Sequence, residues 1–302
     1  MKILLAAAAL FCLLQDRRQA QPLGEKSGLV PLTELAAKYK GEDGGLYGGG
    51  KNDPPKAHAD AAKAEIAKIK PVDGKVVLLS IGMSNTTQEF SRFVQIAPKS
   101  DRIVLVDGAQ GGQDASRWSS ADAPTWAAAD KRLEAAGVTP KQVQVVWIKQ
   151  ALAGPGRIGE YPAHAKRLQE DLAKIVRVAR ARYPNLRVAY LSSRVYAGYA
   201  KTQLNPEPYA YETAFAVRAL ILDQIQGDKE LSVADGRAPL LLWGPYLWAD
   251  GATPRKSDKL SWDAKDFGQD GTHPSDSGRE KVAQQLLGFL KNDPLARDWF
   301  QP

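Results

Sequence analysis

This sequence predicts a three-layer α/β/α domain around a parallel sheet, of about five strands, and three observations point to it. From Gly74 onward, short β-branched apolar runs alternate with helical stretches as far as the C-terminus. Runs such as Val76-Val77-Leu78-Leu79 are apolar on both faces, as a sheet covered by helices on each side requires. A chain of 302 residues, 44% hydrophobic and 25% charged, has the composition of a protein that builds a core.

Residues 1–20 read as a secretory signal peptide. Lys2 precedes an uncharged apolar run from Ile3 to Leu14, which is too short to span a bilayer, a task for about 20 residues. Cleavage near Ala20 removes Cys12, the one cysteine, so the expected product is secreted or periplasmic, free of disulfides and without stable membrane insertion. Residues 21–73 read as a loop-rich lead, with Gly41, Gly44, Gly45 and Gly48-Gly49-Gly50 ahead of Pro54-Pro55. Short helices are expected there over 32–39 and 57–68.

Residues 74–302 carry the α/β/α pattern. Strands are expected at 75–80, 103–106, 143–148, 186–191 and 240–243, and helices at 88–96, 121–136, 163–183, 209–226 and 277–291. The net charge is +7, and the densest basic cluster, Lys166, Arg167, Lys174, Arg177, Arg180, Arg182 and Arg187 with Glu170 and Asp171 among them, falls mainly opposite the helical stripe Leu168, Leu172, Ile175, Val176 and Ala179. That is a solvated helix face; nucleic-acid binding asks for one basic patch with stacking aromatics. Three histidines and a single cysteine leave no basis for a metal centre, and nothing calls for a cofactor. His58 and His164 are expected at the surface.

In such a sheet the ligand site lies beyond the carboxyl ends of the strands. After the first strand comes Gly82-Met83-Ser84-Asn85, where Ser84 enters a helix as a plain N-cap or as an exposed hydroxyl beside free N–H groups. After the second comes Asp107-Gly108-Ala109-Gln110-Gly111-Gly112, whose glycines let backbone N–H groups approach a ligand. After the third comes Gln150, whose amide either serves an oxyanion or bonds a loop carbonyl. Before the last helix, Asp270-Gly271-Thr272-His273-Pro274-Ser275 places an aspartate three residues ahead of a histidine. Such a carboxylate can fix the imidazole tautomer and leave the other ring nitrogen as a base for a serine.

These positions, taken in order, resemble the SGNH (GDSL-type) hydrolase superfamily, with its flavodoxin-like fold. Gly82-Met83-Ser84-Asn85, and Gly111-Gly112 followed by Trp118, look most like the sialate O-acetylesterase and plant acetylesterase-like branch. The resemblance implies a nucleophile at Ser84, a base at His273 oriented by Asp270, and an oxyanion hole from Ser84, Gly112 and Gln150. It also suggests removal of O-acetyl groups from a carbohydrate, with Asn85, Arg194 and Trp243 as candidates for substrate contact. The chain departs from the pattern at Met83, where the family has Asp or Gln. It departs again at Gln150, which stands three residues after Trp147 rather than two and is followed by Ala151-Leu152. The expected function is therefore an exported serine esterase acting on a small-molecule or glycan ester. A non-catalytic glycan- or surface-binding protein on the same scaffold is the alternative.

Overall fold

The computed structural model describes residues 21–301; the signal-peptide expectation and Cys12 lie outside the described residues. Five strands form one sheet: β1 (Val76–Gly82), β2 (Ile103–Asp107), β3 (Val143–Lys149), β4 (Val188–Ser192) and β5 (Leu240–Trp243). Their order is β2-β1-β3-β4-β5 and every pairing is parallel. Every residue of β1 and β3 is buried, so helices cover both faces of the sheet centre.

Among the described residues the α-helices are α1 (Lys56–Ile66), α2 (Ser84–Ile96), the short α3 (Ala115–Trp118), α4 (Pro124–Ala135), α5 (Ala163–Arg182), α6 (Tyr209–Ile225) and α7 (Asp276–Asn292). α2 packs on α7 and α5 on α6. The apolar stripe of α5 faces inward with Leu168, Leu172, Ile175, Val176 and Ala179 buried, which leaves the basic side chains on the outer face. No helix among the described residues is long and apolar enough to cross a membrane.

Helix starts differ from expectation where local chemistry intervenes. α2 begins at Ser84 rather than 88, because the polar first turn Ser84-Asn85-Thr86-Thr87 hides the helix from an apolar-periodicity argument. α4 begins at Pro124, whose missing N–H is harmless in a first turn. β4 begins at Val188 rather than 186, since the Leu186 N–H closes the turn after α5 on the Tyr183 carbonyl (2.9 Å).

Residues 21–55 lie along the domain as an irregular strap. The helix expected over 32–39 is absent, with a turn at 32–34 in its place. The Leu32 N–H is taken by the Tyr246 hydroxyl (3.0 Å), and its carbonyl, which a helix would give to the N–H four residues on, accepts from the Gly45 N–H (2.7 Å). Ser27 Oγ donates to Asp250 Oδ1 (2.6 Å), and the Arg218 guanidinium meets Glu42 Oε2 (2.6 Å). His58 and His164 are buried, against the surface placement expected for them. Nε2 of His58 lies 2.8 Å from the Leu241 carbonyl, and that of His164 lies 2.7 Å from Glu212 Oε2.

Candidate active site

The register Gly82↔Lys149↔Ser192 aligns the ends of β1, β3 and β4 on one rim. The strand order reverses between β1 and β3, the point where open α/β sheets leave a crevice. Ser84 leaves β1 there. A β-carbon at Gly82 would stand 2.3 Å from Thr86 Oγ1, so the turn from strand into helix needs a glycine. Thr86 Oγ1 donates to the Lys149 carbonyl (2.7 Å), which ties the first turn of α2 to the end of β3. Ser84 is half-buried and is the first residue of α2, where backbone N–H groups lack helical acceptors.

The loop ahead of α7 is shaped around Asp270. Its Oδ1 accepts from the N–H groups of Thr272 (2.9 Å) and His273 (3.0 Å), and its Oδ2 lies 2.5 Å from His273 Nδ1. Gly271 has φ +63°, and a β-carbon there would meet the Tyr199 carbonyl oxygen at 1.8 Å. Asn85 Nδ2 donates to the Thr272 carbonyl (2.8 Å), so the residue after Ser84 holds the histidine loop in place. His273 Nε2 is 2.8 Å from Ser84 Oγ. With the ring proton on Nδ1 donated to Asp270, Nε2 is free to accept from the serine hydroxyl. Partial burial pushes the Asp270 carboxyl up. The His273 ring, the two backbone N–H groups and the attraction of the imidazole outweigh this and hold it below its ordinary value.

The loop after β2 is pinned on both sides. Asp107 accepts from Ser80 Oγ (2.6 Å), Ser91 Oγ (3.0 Å), the Ala109 N–H (3.2 Å) and Thr87 Oγ1. The Gln110 N–H donates to the Gly82 carbonyl (3.0 Å). Gly111 and Gly112 form the exposed apex of that loop, and a β-carbon on Gly111 would lie 3.9 Å from Ser84 Cβ. Gly112 has φ +73°, a conformation in which glycine carries no penalty.

Gln150 is buried beside this loop. Its Nε2 reaches the Gln113 carbonyl at 3.4 Å, the long edge of hydrogen-bond range, and its Oε1 has no hydrogen-bond partner. An amide nitrogen carries two N–H groups, so one donor is left over.

The other candidate contacts are placed differently from expectation. Arg194 lies beyond β4 but is only 1% exposed, and its Nε and Nη1 have no hydrogen-bond partner. Burial lowers its pKa, opposed by Glu89, Glu207 and Asp270. Trp243 ends the edge strand β5, is buried, and donates its indole N–H to the Leu46 carbonyl (2.7 Å) of the strap. That packing role leaves it unsuited to stacking on a sugar. Asn85 is likewise buried, with its amide nitrogen spent on the Thr272 carbonyl.

One feature escaped the sequence argument. Glu89 on α2 and Lys149 at the end of β3 are paired beneath the site and sealed from solvent. The Lys149 ammonium is lowered to about 8: burial and, less strongly, Arg194 push it down, and Glu89 pulls it back up. A lysine ending an apolar strand and a glutamate on the apolar side of a helix were the available signal.

No protein-family model matches the chain, and no curated protein matches it. Among solved structures, a Bacteroides fragilis chain described as a "putative acylhydrolase" is 17% identical. The alignment covers 80% of this chain and 100% of that one, with a TM-score of 0.42. A Streptococcus pneumonia chain described as a "putative platelet activating factor" is 16% identical over 78% of this chain and 92% of its own, with a TM-score of 0.37. Likeness at this level says nothing of activity.

Proposed function

We propose that the protein is a serine esterase that hydrolyses acyl esters, with O-acetyl groups on a carbohydrate as its substrates. The observation that carries this reading is the contact chain Ser84 Oγ–His273 Nε2 (2.8 Å) and His273 Nδ1–Asp270 Oδ2 (2.5 Å). Ser84 Oγ attacks the acyl carbonyl carbon while its proton passes to His273 Nε2. The bond from that carbon to the alcohol oxygen then breaks, and His273 returns the proton to the departing alcohol. Water repeats the sequence on the acyl-serine, releasing the acid and the free hydroxyl. Asp270 stays ionised, orients the ring and stabilises the imidazolium.

The negative oxygen of the tetrahedral intermediate is met by the N–H of Ser84, by the Gly112 N–H of the adjacent loop and by the Gln150 amide. One such donor is worth about 2.7–4 kcal/mol at the transition state. The carbohydrate assignment rests on the resemblance of Gly82–Asn85 and of Gly111-Gly112 followed by Trp118, and export rests on the leader-like residues 1–20. Ser84→Ala tests the reading: p-nitrophenyl acetate hydrolysis is expected to vanish, and a variant as active as the parent refutes it.

A further inference from the structure

We infer, on the reading of Ser84 as nucleophile and His273 as its base, that residues 22–28 are a positioning element of the esterase: an arm that holds the loop 196–202, on which the Asp270–His273 segment is seated. The connection from β4 to α6, residues 193–208, is neither helix nor strand, so its backbone groups need partners from elsewhere in the chain. On one side this connection carries the histidine loop. The Lys201 N–H donates to the Asp270 carbonyl (2.9 Å), the Thr202 and Thr272 hydroxyls lie 3.0 Å apart, and the Tyr199 carbonyl packs against Gly271. On the other side the arm grips it. The Gly198 carbonyl accepts from the N–H groups of Leu23 (2.7 Å) and Gly24 (3.1 Å), and the Tyr196 hydroxyl donates to the Gly24 carbonyl (2.9 Å).

The arm is anchored in turn to the segment after β5. The Glu25 carbonyl accepts from the Ala252 N–H (2.8 Å), and the Asp250 carboxylate takes the Ser27 N–H (2.6 Å), the Ser27 hydroxyl (2.6 Å) and the Gly28 N–H (3.1 Å). All this is done from outside the core. Pro22, Leu23, Glu25 and Lys26 are exposed, Leu23 at 54%, so the arm takes little apolar area from water and adds little to global stability. Its hold is local. Slack in the loop 196–202 displaces Asp270 and His273 from Ser84 Oγ, a contact of 2.8 Å in which a misplacement of about 1 Å costs up to about a hundredfold in rate.

The test follows p-nitrophenyl acetate hydrolysis, the melting temperature and the downfield proton resonance of His273 Nδ1–H in the full-length protein. Gly24 has φ +84°, which proline cannot adopt, and proline also removes the N–H given to Gly198, so Gly24→Pro lifts the arm. This variant is expected to lower kcat by about tenfold or more with KM nearly unchanged, and to shift or broaden the resonance at a near-parental melting temperature. Tyr196→Phe, which keeps the ring and removes one bond to the arm, should do the same to a smaller degree, and Lys26→Ala should match the parent. Parental kcat and resonance in both Gly24→Pro and Tyr196→Phe overturn the inference and leave the Ser84 reading standing, as does a loss of activity accounted for by unfolded protein. A parent inactive on the ester refutes the Ser84 reading, and the arm's role in catalysis with it.

Discussion

Glu89 and Lys149 form an ion pair (Nζ to Oε2 2.7 Å, to Oε1 2.9 Å) with both side chains sealed from solvent, joining the helix that begins at Ser84 to the strand that precedes Gln150. Removing one partner of a buried pair strands a charge and costs about 3–5 kcal/mol, whereas replacing both by apolar residues is often neutral. Glu89→Gln is therefore expected to lower the unfolding free energy by about that amount in urea titrations. The double variant Glu89→Leu/Lys149→Met should recover the part of the loss due to the stranded lysine, while the buried Arg194, whose charge Glu89 also offsets, keeps the rest. A single variant as stable as the parent contradicts the pairing.

Gly271 fixes the loop that presents Asp270 and His273. Alanine there is strained at φ +63° and collides with the Tyr199 carbonyl, which is backbone and cannot swing aside. Gly271→Ala is expected to lower the melting temperature and to remove ester hydrolysis. A variant with parental activity would show that the loop tolerates displacement.

The Asp270 carboxyl sits below its ordinary value of 3.8, so its contribution to stability is present above that pH and is lost as pH falls through the lower folded value. Above pH ~4 the aspartate is already ionised, and the acid limb of log kcat/KM should rise with the slope of a single proton. A slope of two in that range contradicts the arrangement. Asp270→Asn should lower kcat by a factor on the order of 10⁴, because the amide favours the wrong imidazole tautomer.

Gln150 has one long bond to the Gln113 carbonyl and one N–H to spare. If that N–H serves the oxyanion, Gln150→Ala lowers kcat by about a hundredfold or more. A change below threefold assigns the side chain to the loop alone.

The sheet and most helices were legible because their signal is local: apolar runs and helical stripes. Ser84, Asp270 and His273 were legible because each stands at a strand end or a shaped turn. The burial of His58, His164 and Arg194 was not, since their surroundings come from distant chain. Glu212 lies 48 positions from His164, and the Leu241 carbonyl lies 183 from His58. The strap over 21–55 reads as loose glycine-rich loop for the same reason, because Asp250 and Tyr246 hold it from more than 200 positions away.

The most direct measurement is mass spectrometry after treatment with a serine-reactive phosphonate, which bonds only to an activated hydroxyl. One adduct is expected, on the peptide carrying Ser84, and it should disappear in His273→Ala. A protein that takes no adduct, or takes it on another serine, contradicts the account at its centre.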